Sequence, residues 1–189
     1  MNFNLSEEQS LLADSVTRFI GNDYGYDIRK KHVALPDGFD RATWATFAEL
    51  GWLCVPFSEE DGGIGGGPVE TMIMLEQFGK GLVVEPYVST VVLAGSALKL
   101  AGNAEQKAEL ISGIIDGSRL LSLAYCEAQA RFDLFDVKTT AKKDGGNYVL
   151  NGAKAMVLHG GTADTFIVSA RTSGSQRDAA GVSLFVVPA

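Results

Sequence analysis

The spacing of apolar residues changes part-way along the chain, and this change restricts the possible folds more than any single motif. Before Ser118, apolar residues recur every three or four positions, which is typical of helices with one buried face. After Ser118, short segments rich in Val, Thr, Phe and Tyr are typical of strands. The sequence therefore predicts an α+β protein, with an all-helical domain over residues 1–117 and an antiparallel β domain, barrel-like or sandwich-like, over residues 118–189.

Five helices are predicted in the first half. The clearest begins at Ser6, because Ser6 and Gln9 have the spacing of a capping box. Residues 23–39 are polar and are predicted to form a connection, with His32 on its solvated surface. Four further helices are expected to begin near Asp40, Pro68, Pro86 and Asn103.

Six strands are predicted in the second half. Their sequences are LLSLAY, VKTTAKK, NYVLNG, KAMVLHG, DTFIVSART and GVSLFVVPA. Asp144-Gly145-Gly146 and Asn151-Gly152 are hairpin signals. The segment 124–133, AYCEAQARFD, lies where the helical pattern gives way to strands. Its small and polar residues suggest backbone N–H groups that face a ligand.

Composition excludes several functional classes. The net charge is −7 and the basic residues form no stripe, which argues against nucleic-acid binding. Neither the two cysteines nor the two histidines have the spacing of metal ligands or of a disulfide framework, so no metal site is expected. The N-terminus lacks the pattern of a signal peptide, and no apolar run is long enough to span a membrane. A cytoplasmic protein is predicted.

Three features allow more than one interpretation. The glycine-rich segment 62–67 is either a tight turn between helices or a phosphate-binding loop, although P-loop spacing is absent. His159, beside two glycines, is either a turn residue or part of a site. Cys126 has no signature of an activated nucleophile and is interpreted as a packing residue.

The order of several short motifs resembles the acyl-CoA dehydrogenase family. In chain order these are SEEDGGIG, LEQFGKG, the proline at position 86, AEQKAELISGIIDG, AYCEAQARFD, DGGNYVLNGAK and LHGGTAD. The resemblance covers essentially the whole chain. It implies an N-terminal helical domain and a middle β domain, and a flavoprotein that uses FAD to desaturate an acyl-CoA thioester between its α and β carbons.

The family also has a C-terminal four-helix domain that carries its glutamate base. This sequence ends at Ala189, near the end of the middle domain. The C-terminal domain is therefore expected to be missing, and truncation is favoured over an unusually short natural protein. No catalytic residue is therefore assigned within the chain. The chain alone is predicted to be inactive.

The resemblance also implies site residues. The segment from Cys126 to Asp133 stands where the family usually has Thr-Glu-Pro-x-Ala-Gly-Ser-Asp. It keeps Glu127, Ala130 and Asp133, and it replaces the threonine, glycine and serine with Cys126, Arg131 and Phe132. In a second segment, the family's tryptophan and its threonine or serine are replaced by Met156 and Leu158. The implied substrate-contacting residues are Arg131, Phe132 and Asp133. The implied cofactor-contacting residues are Leu123, Tyr125, Cys126, Met156, Val157 and Leu158.

These replacements resemble the divergent small subunit of a heteromeric acyl-CoA dehydrogenase, such as pimeloyl-CoA or sterol side-chain dehydrogenases. Two hypotheses follow, an FAD-dependent enzyme subunit and a non-catalytic partner that stabilises a catalytic chain. A third and weaker hypothesis is an acyl-CoA-binding module without redox chemistry. The implied partners are acyl-CoA, another acyl-CoA dehydrogenase chain in a homo- or hetero-oligomer, and electron-transfer flavoprotein as one electron acceptor.

Overall fold

The computed structural model describes residues 4–189, which form two compact units. One unit contains the chain up to Tyr87 together with Gly102–Ser118, and the other contains Val88–Ala101 together with Arg119–Ala189. Residues 88–101 are helical but belong to the unit that holds the sheet. The sequence-based domain division between residues 117 and 118 stays a prediction, because a contact-based unit need not be a folding domain.

The helices confirm most of the predicted positions. In chain order they are α1 Glu7–Asp23, α2 Tyr26–Val33, α3 Arg41–Glu49, α4 Pro68–Gly81, α5 Gly95–Ala101, α6 Ala104–Gln106 and α7 Ser112–Ile115. A π-helical segment, Val88–Ala94, leads into α5, and a second, Lys107–Ile111, joins α6 to α7. A short 3-10 turn spans Glu59–Asp61.

Local side chains fix the helix starts. The Ser6 hydroxyl accepts from the Gln9 amide at 3.2 Å and Gln9 Oε1 accepts from the Ser6 amide at 2.9 Å, which confirms the capping box. Asp40 caps α3 by accepting from the Thr43 amide at 3.0 Å. Pro68 occupies the first turn of α4, where its missing N–H costs nothing.

Aromatic side chains form the core of the helical unit. Phe47 lies at its centre, with ring centroids 5.6 Å from Phe19, 5.1 Å from Trp52 and 5.2 Å from Phe78. Tyr87 packs edge-on against Phe78 at 5.1 Å. Such large rings bury much apolar area, so this core anchors α1, α3 and α4 to one another.

The polar connection between α1 and α3 contains a helix that the sequence interpretation missed, α2. The prediction that His32 lies on the solvated surface was wrong, since it is 8% exposed. Its Nδ1 lies 2.9 Å from a carboxylate oxygen of Glu85, and the Tyr24 hydroxyl donates to the other oxygen. A buried carboxylate therefore draws α2 inward, and composition alone gives no sign of this distant partner.

The glycine-rich segment is a packed turn. The amides of Gly63, Gly65 and Gly66 donate to the carbonyls of Ser58, Phe57 and Val55 at 2.7–2.8 Å. A Cβ on Gly63 would lie 2.2 Å from the Phe57 carbonyl oxygen. These three amides are already bonded within the turn, so they are not available to a phosphate. The interpretation of the segment as a tight turn between helices is confirmed.

The sheet is mixed and open, which corrects the predicted antiparallel barrel or sandwich. Its strands are β1 Leu121–Ala124, β2 Thr140–Asp144, β3 Asn147–Asn151, β4 Thr165–Arg171 and β5 Val182–Pro188. β4 pairs in parallel with β1 and antiparallel with β5. β2 and β3 form the predicted hairpin through Gly145, and β2 meets β4 in parallel at Thr140 and Arg171. The long connection from β1 to β4 lets the chain return in the same direction.

The helical segment 88–101 supports one strand of the sheet directly. The Thr90 hydroxyl donates to the Leu121 carbonyl at 3.0 Å, and the Leu121 amide lies 3.3 Å from the same hydroxyl oxygen. Thr90 is 1% exposed, so these backbone groups of β1 have a partner where water is excluded. Over residues 4–189, no helix has the length and apolarity needed to cross a membrane.

Candidate functional site

Hydrogen bonds bring together the two segments that the sequence predicted to contact a cofactor. The Cys126 carbonyl accepts from the Ala155 amide at 2.9 Å, just beyond the end of β1. The Ser122 hydroxyl donates to the Leu158 carbonyl at 2.8 Å. The segment 155–158 therefore lies alongside β1 and the residues that follow it.

The paired segments present apolar side chains to solvent. Met156 is 88% exposed, Leu158 51% and Tyr125 39%. Leu123, Cys126 and Val157 are half-buried. An exposed apolar surface of this kind marks a candidate binding site.

The segment KAMVLHG is not a strand, and Asn151-Gly152 is not a hairpin turn; both predictions were wrong. Met156 and His159 each have φ of 52°, in the left-handed region that a strand cannot contain. The Gly160 amide then donates to the Val157 carbonyl at 3.1 Å and closes a turn. The apolar residues that suggested a strand face outward here, so their pattern does not report burial in a core.

Glu127, the residue after Cys126, is buried and bonds to Lys154, the residue before Ala155. One carboxylate oxygen accepts from Lys154 Nζ at 2.7 Å and from the Thr139 amide at 3.0 Å. The other accepts from the Lys138 amide and from Gln129 Nε2, both at 2.8 Å. Glu127 is 5% exposed, so a buried carboxylate positions the starts of both site segments.

The hydrogen bonds determine the charge state of Glu127. Burial by itself raises the pKa of the carboxyl group, but donors from Lys154, Gln129 and Thr139 outweigh it and lower the pKa to about 2. The carboxylate is therefore ionised at neutral pH. Lys154 also donates to the Ser169 hydroxyl at 3.0 Å, so the ion pair is tied to β4. The family resemblance identified Glu127 as a retained residue, but no sequence pattern indicates its partner Lys154, which lies 27 positions further along the chain.

A second buried carboxylate extends this network toward the loop between β4 and β5. Asp136, 2% exposed, accepts from Gln176 Nε2 and from Arg177 Nε, the latter at 2.9 Å. Gln129 Nε2 lies 3.3 Å from Asp136 Oδ1 and so bridges the two acids. The hydrogen bond from Gln176 is the main cause that lowers the pKa of Asp136.

The Arg171 side chain holds the same loop through hydrogen bonds to main-chain carbonyl oxygens. Its side chain is buried, 7% of the residue being exposed, and the guanidinium donates to six main-chain carbonyl oxygens. The shortest reach the carbonyl oxygens of Phe135 at 2.8 Å and of Ala180 and Gln176 at 2.9 Å. The full set of acceptors is Phe135, Val137, Ser173, Gln176, Asp178 and Ala180.

The predicted substrate residues lie together in one exposed turn. Phe132 is 99% exposed, and Arg131 has φ of 51°. The Asp133 amide donates to the Ala130 carbonyl, and its carboxylate accepts from the Phe135 amide, both at 2.9 Å. These two bonds lie within the turn. The hydrogen bond from Gln129 to Glu127 connects the start of the turn to the paired segments.

The two polar groups at the edge of the apolar surface are sequence neighbours. A hydrogen bond with the Cys126 side chain raises the pKa of the Tyr125 hydroxyl. The phenol therefore stays protonated at neutral pH and can donate a hydrogen bond. Cys126 is a free cysteine whose thiol is a weak donor.

Other possible sites lie elsewhere or are not formed. An open cavity of about 660 Å³ in the helical unit is lined by Ser58, Glu60, Asp61, Gly102, Ala104, Lys107 and Ala108, none of which was predicted as a site residue. Within the described part of the chain, His, Cys, Asp and Glu form no cluster of three or more that could hold a metal ion.

Family models decide which proteins this chain is related to. The model described as "Acyl-CoA dehydrogenase, N-terminal domain" matches residues 6–118, and "Acyl-CoA dehydrogenase, middle domain" matches residues 122–189. The chain belongs to the acyl-CoA dehydrogenase family. The family's N-terminal and middle domains thus account for the helical half and the mixed sheet.

Curated relatives agree with this assignment. Probable acyl-CoA dehydrogenase YngJ of Bacillus subtilis (strain 168) is 31% identical over 190 residues, which covers 100% of this chain and 50% of that protein. The chain therefore spans about half the length of the acyl-CoA dehydrogenases that it matches.

Solved structures of related proteins have the same fold. The structure titled "FAD complex of PigA" has a TM-score of 0.88 at 27% identity and matches 100% of this chain and 50% of that one. The ChsE4-ChsE5 complex from Mycobacterium tuberculosis has a TM-score of 0.85 at 27% identity, with 100% and 49% covered. One structural relative is thus described as an FAD complex, and another as a complex of two named chains.

Proposed function

We propose that this chain supplies the FAD-facing and thioester-facing surfaces of an acyl-CoA dehydrogenase that introduces a double bond between the α and β carbons of an acyl-CoA. The observation that carries the proposal is the pairing of Cys126 with Ala155, which sets Tyr125, Met156 and Leu158 on adjoining exposed segments. The chain acts as part of a longer or heteromeric enzyme and is inactive alone. Residues 1–117 and 118–189 are its proposed domains.

The residues present fit a flavin ring. Met156 offers a polarizable sulfur that can cover a ring face, and Leu158 and Val157 add apolar area beside it. Tyr125 and Cys126 offer a hydroxyl and a weak thiol donor at the edge of this surface. When bound, FAD supplies the acceptor for the hydride that leaves the β carbon.

The protein's own part in the reaction is positioning. The Glu127–Lys154 pair fixes the backbone of both flavin-facing segments from beneath, while the turn with Arg131, Phe132 and Asp133 borders the path of the acyl thioester. Deprotonation at the α carbon needs a base, and no residue of this chain is assigned to that role. Acyl-CoA is the proposed substrate and electron-transfer flavoprotein a proposed electron acceptor.

A second candidate function is a non-catalytic partner of a catalytic acyl-CoA dehydrogenase chain. The observation that favours it is Leu158, whose side chain cannot donate a hydrogen bond where the family's threonine or serine would. A preorganised contact of that kind is worth roughly 2.7–4 kcal/mol in other enzymes, so its loss would slow hydride transfer strongly. In this case the chain would still stabilise the assembly in the reducing cytoplasm.

Flavin absorbance separates the two candidates. The chain is purified with FAD present, alone and co-expressed with a second acyl-CoA dehydrogenase chain from a neighbouring gene, and the visible flavin absorbance of each sample is recorded. The proposed function predicts bound flavin that is lost in Met156→Asp, because a carboxylate cannot cover an apolar ring.

Met72→Asp in α4 is the matched control, since Met72 is exposed but lies in the helical unit. Flavin bound by the complex regardless of Met156 would favour the non-catalytic partner. Turnover of acyl-CoA by this chain alone would contradict the proposed need for further residues.

A further inference from the structure

We propose that Gln129 and Asp136 are positioning residues for acyl-CoA, because together they close the turn 130–135 and connect it to the loop 172–181 between β4 and β5. That turn contains the residues assigned to the substrate. Its connection to the loop stands on buried hydrogen bonds alone, whereas its effect on acyl-CoA rests on the proposed function.

One side chain joins the two ends of the turn. Gln129 immediately precedes the turn, and Asp136 immediately follows it. Gln129 Nε2 donates to Glu127 Oε2 at 2.8 Å and lies 3.3 Å from both the main-chain oxygen and Oδ1 of Asp136. The two N–H groups of one carboxamide can serve all three acceptors, since one of them can be shared between the two oxygens of Asp136. The turn is therefore closed at its base by a single amide group.

This carboxamide lies between two carboxylates that have little contact with water. Glu127 is 5% exposed and Asp136 is 2% exposed. An apolar side chain at position 129 would take a donor from both acids, and the ends of the turn would have to separate to admit water in its place. The closed turn therefore depends on the amide group of Gln129 rather than on its bulk.

The far end of the turn is bonded to the loop. Asp136 accepts from Gln176 Nε2 and from Arg177 Nε. The Val137 amide donates to the Gln176 carbonyl at 3.1 Å, and Arg171 donates to the same carbonyl oxygen at 2.9 Å. Side-chain and main-chain bonds thus meet at Gln176. The turn and the loop therefore form one connected piece, with Asp136 bonded to both.

A closed turn binds a ligand at a lower entropic cost than an open one. Within the turn, Asp133 bonds to Ala130 and to Phe135, which leaves the base of the turn to be held by the Gln129 bridge. With an open base, the residues assigned to the substrate would be ordered anew each time acyl-CoA binds, and that ordering would subtract from the affinity. The bridge therefore tightens acyl-CoA binding without contact to the ligand.

FAD binding should not depend on this bridge. The flavin-facing segments are joined by the bond between Cys126 and Ala155 and by the Glu127–Lys154 pair, neither of which includes Gln129. An unequal effect on the two ligands therefore distinguishes positioning from a general loss of structure, which would weaken both.

The first test measures amide hydrogen exchange in three variants that carry the same change, Gln129→Leu, Gln176→Leu and Gln106→Leu. Gln106 is the matched control, because its carboxamide belongs to the capping box of α6 in the helical unit. We expect exchange in peptides that cover residues 130–137 to be about tenfold faster in the first two variants, with β4 unchanged, and to keep its native rate in the control. Gln176 lies on the exposed loop, so its variant decides the outcome should Gln129→Leu not fold. Unchanged exchange of the turn in either folded variant would overturn the inference.

The second test titrates FAD, butyryl-CoA and octanoyl-CoA into the native chain and the variants, and into their complexes with a second acyl-CoA dehydrogenase chain. We expect Gln129→Leu and Gln176→Leu each to weaken the binding of both thioesters about fivefold and to leave FAD affinity within about twofold. The double variant should lose no more than about fivefold, because both bonds act through Asp136.

Three results of the titration would contradict the positioning role. Equal weakening of FAD and thioester binding would indicate a general loss of structure. Unchanged thioester affinity would show that closure of the turn does not matter to the substrate. A double variant that multiplies the two single effects would exclude a shared route through Asp136.

The proposed function can fail separately. Absence of thioester binding, by the native chain and by its complex, overturns the proposed function together with the acyl-CoA part of this inference. The exchange measurement still decides whether Gln129 and Asp136 connect the turn to the loop.

Discussion

Lys154 Nζ lies 2.7 Å from Glu127 Oε1, and the two side chains are only 8% and 3% exposed. Such a pair is stable because both ions are also hydrogen-bonded, Glu127 to two backbone amides and Lys154 to Ser169. Removal of one partner leaves the other as an uncompensated charge in a site with little water. The pair therefore gives the sharpest predictions for this chain.

Glu127→Gln is expected to lower the free energy of unfolding by about 3 kcal/mol, since Lys154 then stays buried without its counter-ion. Urea denaturation measures this change. Glu76→Gln is the control, because Glu76 forms a 2.9 Å pair with Lys80 in which both side chains are more than half exposed. That change should cost under about 0.5 kcal/mol. The double variant Glu127→Gln/Lys154→Met should recover part of the lost stability. A loss in Glu127→Gln no larger than that in Glu76→Gln would contradict the prediction.

The stability that Glu127 contributes should depend on pH in one direction. Its folded-state pKa of about 2 lies below the ordinary value of 4.5, so the contribution is complete above the ordinary value and is lost as the pH falls through about 2. Between about pH 6 and pH 2, the stability difference between native sequence and Glu127→Gln should shrink by about 3 kcal/mol. Denaturation curves at several pH values measure it. A difference that stays constant with pH would show that the carboxylate is not held in its ionised form.

Gly63→Ala is expected to destabilise the helical unit by about 2 kcal/mol or more, because the new methyl group would meet the Phe57 carbonyl oxygen at 2.2 Å. Gly21→Ala is the matched control. Gly21 lies within α1, where a methyl group meets no heavy atom within 4 Å, so alanine should stabilise by about 0.5–1 kcal/mol. Thermal unfolding of both variants measures the contrast, and equal midpoints would count against the packed turn.

Met156→Gly should separate stability from ligand binding. The left-handed backbone at Met156 costs a residue with a Cβ atom about 1–2 kcal/mol, a cost that glycine does not have. This gain offsets the larger conformational entropy that glycine loses on folding. The thermal midpoint should therefore stay equal or rise, while FAD affinity falls because the thioether is gone. Met72→Gly, in α4, should instead lose about 1 kcal/mol. A large destabilisation by Met156→Gly would mean that the exposed side chain has a structural role.

Leu158→Thr should tighten FAD binding about fivefold, because it adds a hydroxyl donor at the position where the family resemblance implies one. Leu158→Val is the control, since it has a similar shape without the donor. Fluorescence titration with FAD measures both. Equal affinities of the two variants would show that this side chain does not reach the flavin.

The sequence predicted the elements whose determinants are local. The Ser6 and Gln9 capping box, the Asp40 cap and Pro68 each act within one helical turn, and each begins a helix as expected. The hairpin at Gly145 is equally local. These signals need no knowledge of distant partners.

The sequence interpretation failed where distant contacts decide the structure. α2 is drawn inward by Glu85, more than fifty residues from His32 along the chain, and composition made that stretch look like a solvated connection. The direction of β1 relative to β4 depends on a long crossover, which periodicity does not describe. Only the family resemblance pointed to Cys126 and Met156, and nothing in their spacing indicated that a backbone bond would join their segments.

The apolar residues of segment 154–160 illustrate a second kind of failure. Alternating apolar side chains predicted a strand, but Met156 and Leu158 face solvent and the backbone twists through the left-handed region. A surface that must receive a ligand has the same composition as one that must pack against the protein. Sequence pattern alone cannot tell these two cases apart.

Arg171 has a consequence for how the loop between β4 and β5 tolerates mutation. Because the guanidinium bonds to main-chain oxygens, the identities of Ser173, Asp178 and Ala180 matter little to that anchor. Substitutions at those three positions can accumulate while the anchor is kept. One codon, that of Arg171, therefore secures this part of a ten-residue loop, in which Gln176 and Arg177 are held separately by their own bonds to Asp136.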